Sequence, residues 1–497
     1  NDVLNTVTDN SEAYTKNHYD KTGNIIKVEV LRDTGIYDIS RFEYDNLDRK
    51  IQSIMLVDEA DLKTGSDIPN ISELRDSEYS GKVKLITSYE YDILGNVVKV
   101  VDPRAYGYLK SDTANRDKFT TWYTYDILNR LEKIKRKHNG VDVFTQYYYD
   151  VNGNVEKIVN ERGFSTEYTY DEMNRVKTIK DAKGKAMTYT YDKAGNLKTQ
   201  TNAKNYTVTY NYDSLNRLET TQDPYEKIIN KKLYDANGNI VKEIDGRGYL
   251  SGTTDETRYG TSYTYDIGNR LIKVVDPEIY ALNDKTKFTE KYEYNQYGEK
   301  TKIINALGEA TNYEYDDAGR LVKVIDDLKV ETVYAYNKRG NKLSMKDGRG
   351  KTTSYTYGAH GILISVKDAN SRISKYKYDL GLNMASLVDR NGNETVYTYD
   401  LKNQLLSRKV LQTGDSVTYT YDEAGNRKSM TDASGTIEYT YDGNNRLLNI
   451  KKSGKDQIVY TYDDIGNINT IADKAGFVVT YTYDKASRMK TVTYKVS

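Results

Sequence analysis

The sequence predicts an all-β chain of tandem hairpin repeats, about 21 residues each. These join into one long antiparallel sheet that coils as a spiral, a hollow shell or a superhelical strip. Three observations predict this. A Tyr-Asp dipeptide or close variant recurs twenty times, most often at 21-residue intervals. The residues before each copy alternate with a period of two, the signature of a strand. Tyrosine supplies 50 of 497 residues against 6 Phe and 1 Trp, so one aromatic has displaced the usual core mixture.

The copy Thr188–Thr207 shows the elements in order. Tyr189 and Tyr191 alternate with Thr188 and Thr190, and both residue types favour strands. Asp192-Lys193-Ala194-Gly195-Asn196 then carries turn chemistry, since an Asp at the first position accepts nearby backbone N–H groups. A type I turn plus bulge requires a left-handed residue three after the Asp. That position is Gly in eleven copies, Asn in six and Asp48 in one, the types that best tolerate positive φ; Leu382 and Ser487 break the rule. The expected turn residues include Asp192 with Gly195, Asp213 with Asn216, Asp316 with Gly319, and Asp463 with Gly466. A second strand follows, such as Leu197–Thr201 or Leu321–Ile325, and then a second turn, as at Asp181–Gly184, Asp347–Gly350 or Asp432–Gly435.

The residue two before the motif tyrosine is also Tyr in seventeen copies. Residues i and i+2 share a strand face, so two tyrosine columns should cross the sheet, stacked from hairpin to hairpin. The pairs Tyr168 and Tyr170, Tyr189 and Tyr191, Tyr210 and Tyr212, Tyr313 and Tyr315, Tyr397 and Tyr399, and Tyr460 and Tyr462 belong to them. Each cross-strand pair contributes roughly 0.2–1 kcal/mol, and summed over the array they replace a globular core.

Composition excludes several functional classes. Lys+Arg and Asp+Glu both number 73, so no basic excess exists to hold a phosphate backbone, and nucleic-acid binding by the array is not expected. No run approaches 18 apolar residues, so no membrane-spanning helix is expected. The absence of cysteine removes disulfides, thiol nucleophiles and Cys-based metal sites, and it fits a chain exported by a bacterium. The mean hydropathy of −0.79 would permit disorder, but tyrosine scores as polar while burying a large ring. The first residue is Asn, with no signal peptide, so the chain reads as a piece of a longer protein.

About forty strands cannot stay flat, because twisted sheets beyond ~10 strands curl, close or split. The pattern Gly-x-x-Thr-x-Tyr-x-Tyr, seen from Gly350 through Tyr357, and its continuation through Asp-x-x-Gly-Arg-Leu, seen from Thr311 through Leu321, resemble the YD or RHS repeat. That family includes bacterial Rhs proteins, wall-associated polymorphic toxins, Tc-toxin components and teneurins. The resemblance covers essentially the whole chain. It implies one sheet wound as a hollow spiral shell, secreted or at the cell surface, which in toxin members encloses a C-terminal cytotoxic domain. Bacterial members typically close the shell with an Asp-Pro-rich, self-cleaving segment. Here Asp-Pro occurs only at Asp102, Asp223 and Asp276, near second turns, so an incomplete, open-ended shell is expected.

No residue is expected to do chemistry. An Asp repeated in seventeen copies, and replaced by Asn295, Asn337 and Gly358 elsewhere, is turn chemistry rather than half of a catalytic dyad. His18, His138 and His360 lie far apart and read as surface or turn residues, not metal ligands. One Asp per turn followed by Gly-Asn fits an Asx turn without calcium, so neither metal nor cofactor is expected. The basic run Lys133–Lys137 reads as a solvated strand edge or turn rather than a nucleic-acid patch. Four segments lengthen the array: 57–80, acidic and predicting a short helix, then 102–118, 246–259 and 276–288. They are expected to pack on the rim or outer face and do nothing else.

Two functions compete. The first is a structural wall that shields a C-terminal cargo or toxin domain by steric enclosure. The alternative is a surface adhesin or carbohydrate-binding scaffold, whose tyrosines and Trp122 stack on sugars or meet a cell-surface partner.

Overall fold

The computed structural model describes residues 15–63, 68, 70–249, 259–277 and 288–495. Within these residues forty strands form one antiparallel sheet. Each strand pairs with its sequence neighbours, from Thr15–Tyr19 beside Ile25–Asp33 to Val478–Tyr483 beside Met489–Lys495. The result is a meander.

Local sequence explains each hairpin. Ala186–Tyr191 pairs with Leu197–Thr201, and the register slips between Thr190 and Tyr191. The Gly195 amide donates to the Asp192 carbonyl at 3.1 Å, and the Asp192 amide to the Asn196 carbonyl at 2.9 Å. This is a type I turn closed by a one-residue bulge. Gly195 takes φ +94°, and the same position has positive φ in all twenty copies, including Leu382 at 60° and Ser487 at 59°. The turn geometry therefore persists where the residue rule fails. The second turn from Asp181 to Gly184 has the same two hydrogen bonds, each 2.9 Å. Asp432 and Gly435 instead face one another across a tighter two-residue turn.

The two sheet faces differ. In Ala186–Tyr191 both tyrosines are half-buried and Thr190 between them is exposed, a pattern that recurs along the array. Threonines on the exposed face join across strands, as Thr169 and Thr178 do at 2.6 Å.

Long-range contacts show that the sheet coils. Residues between 259 and 331 positions apart meet edge to edge, from Lys204 with Asp463 to Lys63 with Glu394. Arg162, in the turn after Val155–Val159, reaches Asp442, in the turn after Gly435–Tyr441, 25 strands later. At about 4.8 Å per strand one revolution is about 120 Å around and roughly 40 Å across. Forty strands make just over one and a half revolutions of an open sheet, which we describe as two rungs.

Conventional core is concentrated near the first lengthened segment, where Ile39, Ile54 and Leu56 form a small buried cluster beside a larger one. Val57, Leu62, Ile68, Leu74, Val83, Leu85, Ala359 and Leu380 form a buried apolar cluster where the first lengthened segment meets the second rung. Elsewhere the array depends on repeated polar and aromatic links.

Candidate functional site

The repeated unit is a turn wired to its neighbours. Asp192 Oδ1 accepts from the Ala194 and Asn196 amides, both at 2.9 Å, and its Oδ2 accepts from the Asn196 side chain at 3.0 Å. The Asn196 side chain, with those amides, holds the Asp192 carboxyl below the usual carboxylate range. Asp213 and Asp316 sit in the same cradle, with Arg217 and Arg320 in the place of Asn196. Their carboxyls are also held low, by the Arg217 amide first for Asp213 and by the Arg320 side chain first for Asp316. Asp463 accepts from the Ile465 and Asn467 amides, and Gly466 takes φ +94°. Burial alone would raise the Asp463 carboxyl, but Lys204 from the other rung and the turn donors hold it low.

The residue four after the turn Asp alternates between Asn and Arg over most of the array, so the structural period is two hairpins. The Asn form donates forward: Asn154 to Asn174 at 2.8 Å, Asn196 to Asn216 at 3.0 Å, Asn239 to Asn269 at 2.8 Å and Asn426 to Asn445 at 2.8 Å. The Arg form stacks forward on the next motif tyrosine: Arg175 lies 4.4 Å from the Tyr191 ring centre, Arg217 4.5 Å from Tyr234 and Arg446 4.7 Å from Tyr462. The alternation is written in the sequence as Gly-Asn followed one copy later by Asn-Arg. Its purpose needed the geometry, because each pairing spans two copies.

The motif tyrosines complete the ladder. Eighteen of them donate their hydroxyl to a backbone carbonyl of the preceding hairpin, among them Tyr170 to Val155, Tyr191 to Val176, Tyr212 to Leu197, Tyr315 to Lys300, Tyr399 to Met384 and Tyr462 to Leu447. Burial raises the phenol pKa of Tyr170, Tyr212 and Tyr315. The inner column holds Tyr168, Tyr189, Tyr210, Tyr313, Tyr397 and Tyr460, each two residues before its motif tyrosine. Tyr168 lies opposite Ile179, Tyr189 opposite Gln200 and Tyr313 opposite Val324. The columns do not stack ring on ring, which corrects that expectation. Among the described residues the stacked aromatic pairs are Tyr108 with Phe119 and Phe477 with Tyr494, outside the columns. Successive column tyrosines lie two strands apart, about 9.6 Å, with one strand between them.

The seam between rungs joins second turns of the first rung to motif turns of the second. Arg162 donates to the Tyr441 and Asp442 carbonyls at 3.2 and 3.0 Å. Lys183 meets the Asp442 carboxylate at 3.1 Å, and Lys204 meets Asp463 at 2.6 Å. Tyr225 accepts from the Lys485 amide at 3.1 Å. Motif carboxylates on this edge therefore order their own turn and receive a cation from the opposite rung.

Two lengthened segments act as clasps across the seam, where no role was expected of them. In 57–80, Glu59–Asp61 forms a 3₁₀ turn and Ile71–Leu74 a single helical turn. Leu62 bridges to Tyr378, and Leu380 is buried in the cluster beside Ile68. In 102–118 the buried Arg104 grips Asp102 and donates to the Asp400 carbonyl at 2.6 Å. This accounts for the most deviant copies. A Cβ at position 358 would lie 2.1 Å from the Asp61 carboxylate, and one at 381 would lie 2.8 Å from the Arg104 guanidinium. At both positions glycine leaves room for a side chain of the first rung. Of the other two segments, 250–258 and 278–287 lie outside the described residues.

The histidines also differ from expectation. His138 ends the strand Leu131–His138 rather than occupying a turn, and its Nε2 lies 3.0 Å from the Tyr421 carbonyl across the seam. His360 sits in a 3₁₀ turn against the first rung, where burial lowers its pKa. His18 lies 3.6 Å from Glu29. The basic run is an interior strand whose Arg136 pairs with Glu161 and Lys137 with Asp142. No helix among the described residues is long and apolar enough to cross a membrane.

Comparison with curated proteins found no match. Solved structures match over almost the whole chain. A TcdB2–TccC3–TEV crystal structure matches with TM-score 0.61 at 16% identity, over 96% of this chain and 30% of that one. TcdB2–TccC3 without its hypervariable C-terminal region matches with TM-score 0.61 at 16% identity, over 96% and 29%. A Tc holotoxin pore from Photorhabdus luminescens matches with TM-score 0.61 at 15% identity, over 96% and 29%. This chain thus spans about 30% of the length of those it matches, and at such identity the likeness is one of fold. The profile of the teneurin YD-shell family matches residues 72–236 and 370–495, more than half of the chain. With the hairpin ladder and coiled sheet described above, this places the chain in the teneurin YD-shell family, as a β-shell scaffold.

Proposed function

We propose that the chain is part of the wall of a shell that encloses a C-terminal cargo, a toxin domain in the parent protein, outside a bacterial cell. The observation that carries this is the seam. Contacts 259 to 331 residues apart join the rungs edge to edge around a lumen roughly 40 Å across between sheet midplanes. Enclosure needs such a continuous wall and no reactive residue. Further support comes from the solved structures of similar fold, one of them described as lacking a hypervariable C-terminal region. The adhesin alternative draws less support, because the motif tyrosines donate their hydroxyls to carbonyls and many carry an arginine on the ring face.

Electron cryo-microscopy of the natural gene product carrying this chain tests the proposal. Polypeptide density inside a coiled wall is expected. A wall whose lumen is empty, with the remaining polypeptide outside it, would overturn enclosure.

A further inference from the structure

The seam between the rungs is filled unevenly. The second residue of a second-rung motif turn packs against the first rung in three copies: Ala359 is 1% exposed, Leu380 3%, and a Cβ at Gly443 would lie within 3.1 Å of Phe164 and Ala182. Leu401 holds the same turn position, and it instead lines a half-open cavity of about 620 Å³ to which both rungs contribute. The cavity lies between two cross-rung contacts, Arg104 with the Asp400 carbonyl and His138 with the Tyr421 carbonyl. Its cause is local. The first-rung turn here is Asn139-Gly140, and a Cβ at Gly140 would meet nothing within 4 Å. The next second turn, in contrast, puts Phe164 against Gly443.

The polar groups on its walls mostly have partners. The Tyr399 and Tyr421 hydroxyls donate to the Met384 and Leu405 carbonyls at 2.9 and 2.8 Å. Arg136 and Lys402 share the Glu161 carboxylate, and Lys137 pairs with Asp142 at 2.8 Å. The Asp400 carboxylate accepts from the Gln404 amide of its own turn at 2.8 Å. What an occupant meets is therefore ring faces and aliphatic carbon from Phe119, Val143, Leu401, Leu406 and Tyr419. Lys118 is the exception. Its ammonium donates to the Asn115 side chain at 2.6 Å and has no carboxylate partner among the described residues. Apolar walls with one uncommitted cation, in a volume within the roughly 300–1,000 Å³ of ligand sites, suit a molecule with a hydrocarbon body and one anionic end. A sugar or a polyphosphate would strand its many polar groups against these walls.

We propose that this seam cavity binds a fatty acid, with its acyl chain between Phe119, Leu401, Leu406 and Tyr419 and its carboxylate at Lys118. The occupant touches both rungs, so it fills the wall where side chains leave it open and stabilises the closed seam by mass action.

Calorimetry of the chain with octanoate, decanoate and dodecanoate, and with decanol as the neutral control, tests this. One molecule per chain should bind, each added methylene raising affinity about fourfold. Hydrogen exchange read by mass spectrometry should show residues 136–143 and 399–421 gaining protection with dodecanoate, while 186–222 stay unchanged. Vesicles of dioleoylphosphatidylglycerol, whose chains are held in a bilayer, should leave both segments as they were. Leu406→Trp fills the cavity and should weaken dodecanoate at least tenfold, with the melting temperature no lower than the parent's. Lys118→Ser should weaken decanoate about fivefold and leave decanol unaffected. The proposal is overturned if no carboxylate binds saturably, if many molecules bind per chain and Leu406→Trp does not reduce them, if the vesicles protect the same segments, or if Lys118→Ser binds decanoate like the parent.

Discussion

Arg104→Met removes the most deeply committed cation of the seam. Arg104 is 7% exposed, and its guanidinium donates to Asp102 at 2.8 and 3.0 Å and to the Asp400 and Leu401 carbonyls at 2.6 and 3.3 Å. Burial opposes its charge, and the Asp102 carboxylate more than offsets that opposition. Methionine fills much of the volume but leaves two carbonyls without that donor and the Asp102 carboxylate with only the residue-104 amide. Removing one partner of a buried pair costs about 3–5 kcal/mol. At about 1.36 kcal/mol per tenfold, local opening rises roughly a hundred- to several-thousand-fold. The loss stays local, because stability in a repeat array is a sum over neighbours. Hydrogen exchange read by mass spectrometry should show residues 379–404 losing protection by that factor, while 186–222 keep theirs. Arg104→Lys should fall between, since an ammonium keeps the charge but not the fork. Unchanged protection in 379–404 would refute the reasoning that Arg104 clasps the rungs.

Other expectations follow from the same geometry. Tyr191→Phe deletes the 2.8 Å bond to the Val176 carbonyl and should cost about 0.5–1.5 kcal/mol, seen as faster exchange across that hairpin pair only. Ser487→Gly should stabilise the last hairpin by up to about 1 kcal/mol, because an exposed non-glycine residue there is held at φ 59°. Its protection against exchange should rise. The motif carboxylates are held below their ordinary pKa, as at Asp192, Asp442 and Asp463. Such groups stabilise the fold above the unfolded value near 4, and that stability is lost as pH falls below it. Circular dichroism should therefore be flat from about pH 8 to 5 and fall below about 4; a loss on raising pH from 6 to 8 would contradict this.

Much of the hairpin could be read directly, because its determinants are local. A positive-φ residue three after an Asp, and alternation before it, are set within a dozen residues. Leu382 shows the limit: it holds the same φ as its sister asparagines and packs against the apolar cluster supplied by residues 57–85, which no local rule anticipates. Gly358 likewise looked like a departure from the motif, and it, like Gly381 beside Leu382, makes room for a side chain hundreds of positions earlier. The Asn–Arg alternation was present in the letters, but its meaning lies between hairpins.

The central claim, that the sheet coils so that distant turns close a wall, has a direct covalent test. A Cβ built at Gly443 would lie 3.1 Å from the Ala182 Cβ, close to the span of a disulfide, and the chain has no cysteine of its own. The nearby Phe164 ring edge, 2.9 Å from that position, lies at the surface and can turn aside. Ala182→Cys with Gly443→Cys should therefore oxidise to an intramolecular disulfide in the folded chain, detected as faster migration on a non-reducing gel and by mass spectrometry of the linked peptides. Two free thiols persisting in the folded protein under oxidising conditions would contradict the coiled shell.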